Sequence, residues 1–424
     1  MVMKKNRLFN LLFILLVLIP GTNFGQKSKI NVSPLKLGVS EINITPETTI
    51  RMGGYSARKG PSTGVHDELY ASALFFTDEV HKVLLITVDA VGFSSQFIDE
   101  VKNRISAKIG IPCENIMISA THTHGGPATQ VTEGEESDAV YNYLELLKEK
   151  LSLLAVGAST TTVPFRMGIG KGSSTMNINR RAIFADGSIG LGKNPDGPAD
   201  HEVTVVKFED LSNNTIAVYV NWPCHGTVGG SQNNMITGDW PGSVARYIKN
   251  KAGKDVVAAI TLGASGNINP IYQGDSFKEI EAIGFLVGTK VTETLAQIST
   301  FPVKSIEVKN ATMIFPGKMR TNNYLPQTSY DSAPEVELRL TTAKIGNLVL
   351  CGISGELFTE YGIEIKKLSP YSSTLIVTHC NGSNGYICTD NSFKEGGYEV
   401  ASTRLMPGVE KPLMEKFIEL IHSF

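Results

Sequence analysis

The sequence predicts an α/β fold, a single layered catalytic domain with mixed β-sheets packed by helices, and three observations predict it. The chain has 424 residues, 42% of them hydrophobic and 19% charged, which is enough apolar material to bury a large core. Buried-strand runs alternate with segments of helical spacing, the pattern of strand-helix-strand units. From Lys36 onward there is no low-complexity run, no Pro- or Ser-rich linker and no internal repeat, so nothing divides that stretch into beads.

The elements follow in chain order. Lys4, Lys5 and Arg7 precede an apolar run from Leu8 to Ile19 that is too short for a comfortable membrane span, and Gly21 and Gly25 supply small residues for cleavage. This predicts a signal peptide over 1–26 and one domain over 27–424, exported to the periplasm or secreted; a retained N-terminal anchor is the alternative. Lys82–Asp89 (KVLLITVD) and Asn115–Ala120 (NIMISA) read as interior strands on either side of a helix over Ser94–Ile109, a βαβ unit. Asp255–Leu262 (DVVAAITL) reads as another strand, followed by a glycine-rich turn and a helix over Phe277–Ile298. Val336–Ile353 reads as two strands joined at Ile345-Gly346-Asn347, and Glu410–Phe424 as a final helix.

Charge and cysteines exclude several classes. Thirty-nine basic against 41 acidic residues leave a net charge of −2, so no field of one sign draws the chain to nucleic acid or an anionic bilayer. The expected partner is a small molecule or lipid-like substrate. Cys113, Cys224, Cys351, Cys380 and Cys388 show no Cys-x-x-Cys spacing and form no disulfide scaffold. Either Cys380 and Cys388 bridge, or all five are small buried hydrophobes.

The polar residues of interest sit just past the ends of apolar strands, where ligands gather in open α/β sheets. Thr121-His122-Thr123-His124-Gly125-Gly126-Pro127 follows NIMISA, and in an extended segment His122 and His124 share a face. Such a pair is structural about as often as it is functional; ending a buried strand before two glycines favours a metal or catalytic role. Asn221-Trp222-Pro223-Cys224-His225-Gly226-Thr227 places a third histidine in the same setting, and three N and O donors with one open position make a catalytic zinc site. Glu356, after Leu348–Ile353, is either a carboxylate ligand or a first-turn glutamate of a helix beginning at Leu357. Tyr386 and Tyr398 are loop aromatics among glycines, and Arg180 is a carbonyl or carboxylate clamp or a solvated surface arginine. His66 is undecided, and His81, His201, His379 and His422 read as exposed or packing residues.

The ordered set resembles the catalytic domain of the neutral, non-lysosomal ceramidases. Leu37–Pro46 (LGVSEINITP), Met52-Gly53-Gly54-Tyr55, Gly64-Val65-His66 with Leu69-Tyr70-Ala71, and Val88-Asp89-Ala90 look like that family's opening. The THTHGGP stretch, Asn179-Arg180, the NWPCHGT stretch, Gly355-Glu356, Asn384-Gly385-Tyr386 and Tyr398-Glu399 before Ser402-Thr403 follow in the family's order, covering Lys36 to Gly408. The resemblance implies a Zn2+ ion held by His122, His225, Glu356 and Tyr386, with His124, Arg180 and Tyr398 lining the substrate amide. It implies a zinc-dependent amidohydrolase of sphingolipid metabolism, in which a zinc-activated water cleaves ceramide or a related N-acyl lipid or small amide, with transient contact to a membrane surface and no nucleic-acid partner.

Two departures qualify that expectation. Where the family carries a serine in a Gly-Asp-x-Ser-Pro turn, this chain reads Gly266-Asn267-Ile268-Asn269-Pro270. Asn269 can donate a hydrogen bond to an oxyanion but is neither nucleophile nor base, and Ser265 is out of register to replace the serine. The C-terminal immunoglobulin-like domain of well-studied members is also expected to be missing, so a channel for long acyl chains is not implied. Two other readings stand beside the first: a zinc hydrolase of an ester or N-acyl sugar, and a non-catalytic binder of lipids or glycans.

Overall fold

The computed structural model describes residues 35–131, 137–274 and 276–424. The leader expected over 1–26 lies outside the described residues. No helix among them is long and apolar enough to cross a membrane.

Period-2 burial along the strands builds two sheets that share a core. In the strand Tyr70–Thr77, Ala71, Ala73 and Phe75 face one cluster while Leu74 and Phe76 face another. The larger sheet runs in the order Val257–Leu262, Thr215–Trp222, Glu202–Asp210, Val163–Ser173, Lys36–Asn43, Tyr70–Thr77, Lys82–Val88, Ile116–Ala120, with the short strand Phe301–Pro302 paired to Val163–Ser173. The second sheet has the order Ile306–Lys318, Ser332–Ile345, Leu348–Ile353, Ser373–Val377. Leu37, Phe76, Leu85 and Phe208 of the first pack with Ile345, Leu350, Leu375 and Val377 of the second, so the sheets lie face to face.

Helices cover both outer faces, giving four layers, helix, sheet, sheet, helix. Ser95–Ile109 and Ser137–Thr160 cover one half of the large sheet, where Val101, Ile105, Leu147 and Leu151 meet Ile86 and Ile118. Asp239–Ala252 and Phe277–Gln297 cover the other half, through Trp240, Val244, Ile283 and Val287 on Val205 and Val220. Those two helices approach closely because Gly284 has no side chain: a Cβ there would stand 2.0 Å from Ser243 Oγ. Thr359–Leu368 and Glu410–His422 cover the second sheet, where Ile365, Phe417 and Ile421 meet Leu340 and Val349.

Three parallel strand pairs orient the site. Lys82–Val88 with Ile116–Ala120, Thr215–Trp222 with Val257–Leu262, and Leu348–Ile353 with Ser373–Val377 are each joined through a covering helix. The helix of the first unit is capped by Ser94, whose side chain accepts from Phe97 N, and ends at Gly110 in the left-handed region. The βαβ unit expected at residues 82–120 is therefore present, as are the hairpin joined at Gly346 and helices over Phe277–Gln297 and Glu410–His422. One local expectation fails. Leu357 does not begin a helix: Glu356–Leu357 is a two-residue strand paired in parallel with Tyr386–Ile387, and the helix starts at Thr359.

Candidate metal and active site

Each strand-helix-strand unit delivers a polar residue from the end of its first or second strand to one place. His122 follows Ile116–Ala120, His225 follows Thr215–Trp222 and Glu356 follows Leu348–Ile353. One ligand atom from each lies within 4.8 Å of the others. His225 Nε2 is 3.1 Å and His122 Nε2 is 3.6 Å from Glu356 Oε2. Donors about 2.0–2.2 Å from one tetrahedral zinc stand roughly 3.4 Å apart, so these separations fit that ion.

The backbone fixes which nitrogen faces the centre. His122 Nδ1 donates to Val91 O at 2.5 Å and His225 Nδ1 to Ile268 O at 3.0 Å, leaving both Nε2 lone pairs pointing inward. Burial lowers His122 to about 4, partly offset by Glu356. It also lowers His225 to about 3, where Arg180 adds to the effect. Both imidazoles are thus neutral at pH 7, the form that ligates a metal. Burial raises Glu356, opposed by His122, Arg180 and a hydrogen bond from Tyr386. That bond places the Tyr386 hydroxyl at the same carboxylate, and burial holds the phenol well above its usual value.

The centre opens on a cavity of about 560 Å³ lined by His122, His124, Glu356, Tyr386 and Tyr398. His122 and His124 do not reach it by simple strand alternation, because His122 has φ 53°. This left-handed kink sets the two Nε2 atoms 3.3 Å apart, and His124 Nδ1 is buried without a partner. Tyr55 packs edge-on against His124, with ring centroids 4.7 Å apart.

Arg180, expected beside the substrate amide, and Asn269, expected as an oxyanion donor, are not among the residues lining the cavity. Arg180 is buried behind it and donates to Glu399 Oε1 at 2.7 Å, while its Nη1 stands 3.1 Å from both Asn269 Oδ1 and His225 Nε2. Its guanidinium lies over the rings of Tyr386 and Tyr398 at 5.3 and 5.9 Å. The Asn269 amide is already committed, since its Nδ2 donates to Gln273 Oε1 at 3.2 Å.

Some supporting residues escape sequence reasoning. His379, read as a packing residue, stacks on His122 with ring centroids 3.9 Å apart and fixes that ring's plane. Its position just past the strand Ser373–Val377 repeats the strand-end signal of the other histidines. Trp240 Nε1 donates to His225 O at 2.9 Å and holds that turn from a helix, which no local motif announces. His66 bonds Asp67 and stacks on Phe277, a structural role. All five cysteines are free, and four of them, Cys380 and Cys388 included, are buried, so the expected alternative of a bridge gives way to small buried hydrophobes.

A family model for the N-terminal part of neutral/alkaline non-lysosomal ceramidases matches residues 35–314. The chain belongs to that family. Among curated ceramidases, neutral ceramidase A of Dictyostelium discoideum is 24% identical over 91% of this chain and 56% of its own length. The neutral ceramidase of Drosophila pseudoobscura pseudoobscura is 27% identical over 56% of this chain and 36% of its own. The chain thus spans about half or less of the length of these ceramidases. The crystal structure of neutral ceramidase from Pseudomonas aeruginosa superimposes with a TM-score of 0.75 at 19% identity, over 92% of this chain and 74% of that one. A ceramidase complexed with C2 superimposes at 0.78 and 17% identity. The four-layer fold is therefore the ceramidase fold. The matched family segment includes His122, His124, Arg180, His225 and Asn269 and ends before Glu356, Tyr386 and Tyr398.

Proposed function

We propose that this chain is an exported zinc-dependent hydrolase that cleaves the amide bond of ceramide or a related N-acyl amine. The observation that carries the reading is the convergence of two neutral imidazole Nε2 atoms and one carboxylate at the edge of the cavity, each imidazole locked in tautomer by a backbone carbonyl. His122, His225, Glu356 and Tyr386 are the proposed ligands, a set of N and O donors suited to zinc. A zinc ion held there lowers the pKa of a bound water and polarises a carbonyl oxygen.

The chain's own residues do the rest. In hydrolysis the water oxygen joins the carbonyl carbon, the C–N bond breaks, and a proton passes to the leaving amine. His124, neutral and facing the cavity, has the nitrogen to hold that proton at Nε2 between the two events. The Tyr398 hydroxyl is the donor available to the tetrahedral oxyanion, a contribution on the order of 3 kcal/mol for a well-placed donor. Arg180 acts from behind, holding the two tyrosine rings, and Asn269 holds Arg180.

The test is turnover of a short-chain N-acylsphingosine by the mature chain with and without chelator, alongside His122→Ala. About one zinc per chain, with turnover lost on chelation and in the variant, is expected. Undiminished turnover by the metal-stripped chain overturns the reading.

A further inference from the structure

Resting on the hydrolase reading, we propose that the cavity selects an N-acyl amine that carries a carboxylate and a short acyl chain, with Arg51 and Arg320 receiving the carboxylate. The cavity wall is the first reason. Among the described residues its aliphatic side chains are Met52, Val91 and Ala128, and no leucine, isoleucine, phenylalanine or tryptophan lines it. A long alkyl chain gains about 0.8 kcal/mol per methylene only where apolar walls replace water. Apart from these side chains and the rings of Tyr55, Tyr386 and Tyr398, the wall is made largely of hydroxyl, amide, imidazole, guanidinium and glycine groups, which return little of that gain.

Charge is the second reason. Among the described residues Glu356 is the one carboxylate on the wall, and the proposed metal takes it. Arg51 and Arg320 line the same space. Arg104, Arg166, Arg180, Arg181, Arg246 and Arg339 each pair with a carboxylate. Among the described residues Arg51, Arg58, Arg320 and Arg404 have no such ion pair, and of these four Arg51 and Arg320 line the cavity; Arg51 Nη2 donates to Gln130 O, at 2.7 Å. The cavity therefore holds cationic donors whose natural complement is an anion, and guanidinium matches carboxylate in both charge and shape.

The third reason is that both arginines are held in place. Met319 N donates to Asp331 O at 2.9 Å and Thr321 N to Ala401 O at 3.0 Å, pinning the backbone on either side of Arg320. The Arg320 guanidinium lies against Gly385, where a Cβ would stand 3.8 Å from Nη2, one residue before Tyr386. Arg51 bridges Pro61, and its carbonyl accepts from Ala128 N at 2.7 Å. The arginines come from separate stretches of the lining, Arg51 with residues 52–56 and 128–130 and Arg320 with residues 321–322 and 383–402.

The experiment compares the zinc-loaded chain on N-hexanoylglycine and N-hexanoylethanolamine, which share an acyl group and differ in charge, and on a long-chain N-acylsphingosine. Expected is a kcat/KM for the glycine conjugate about tenfold or more above that for the ethanolamide, the discrimination of one charge-assisted hydrogen bond. Arg320→Gln and Arg51→Gln, at or near the surface, are each expected to lower that ratio severalfold with zinc content unchanged. An ethanolamide or long-chain sphingosine amide cleaved as well as the glycine conjugate, or a ratio unmoved in both variants, overturns the inference alone. No turnover of any of the three amides by the zinc-loaded chain overturns the hydrolase reading and this inference with it.

Discussion

Glu399 shows how one side chain fixes the wall behind the cavity. It is 1% exposed and pairs with both Arg180, at 2.7 Å, and Arg181, at 3.1 Å. Those partnerships hold its carboxyl below the usual range, Arg180 and Arg181 outweighing burial. Removing the charge leaves the buried Arg180 guanidinium without a carboxylate partner, while Arg181 keeps Glu395 at 3.0 Å, so Glu399→Gln is expected to cost on the order of 3 kcal/mol in chemical denaturation. Near-zero loss would show that water reaches the pair. The sequence offers Glu399 only as the neighbour of a tyrosine in a short motif, because its partners lie about 220 residues earlier. His122 and His225 differ: each directly follows an interior strand, and that placement is legible in the order of residues alone. Asn269 falls between. Its identity is plain, but its bonds to Arg180 and Gln273 are a matter of orientation.

At the scale of elements, the turns after the strands are pressed together. Thr123 bridges Gly226 in parallel, and a Cβ on Gly226 would stand 2.7 Å from His122 O and 2.9 Å from Thr123 Cα. Gly226→Ala is therefore expected to push the His122 and His225 turns apart and to lower zinc content well below one per chain, read by elemental analysis. An alanine variant with full zinc would show that the turns yield without loss of the ligand set. The helix Ser95–Ile109 makes a second prediction. Lys102 points inward from it, and burial lowers its amine to about 8. The unfolded chain keeps that proton to about 10.5, so between pH 8 and 10.5 the unfolded state binds more protons and stability rises with pH. Lys102→Met is expected to stabilise the fold at pH 7 by on the order of 2 kcal/mol and to remove this rise, both measured by thermal melts across that range. A melt unchanged by the substitution would place the amine in water. The helix itself is legible from its spacing and its Ser94 cap, but the burial of a lysine on its apolar side is not.

For the whole molecule, the proposed metal links distant parts of the chain. His122, His225, Glu356 and Tyr386 belong to three strand-helix-strand units that meet only when the two sheets pack. A ligand bound solely by the folded state adds about 4 kcal/mol at a thousand times its dissociation constant. Zinc removal by a chelator is therefore expected to lower the melting temperature, with the drop reversed as free zinc is restored. A melting temperature indifferent to zinc would mean the donor set holds no ion. The same convergence explains why the sequence suggests a helix start where the strand Glu356–Leu357 lies: it pairs with Tyr386–Ile387, thirty residues on, and two-residue strands carry no periodicity.

From the amino-acid order alone came the α/β class, the main strands and helices, the family and the strand-end placement of the histidines, because these rest on local periodicity and short motifs. Tertiary structure decided the rest. It set two sheets face to face, stacked His379 on His122, drew Arg180 behind the tyrosines and turned His122 into the left-handed region. Those outcomes depend on contacts between residues tens to hundreds of positions apart, and no short stretch of sequence contains both partners.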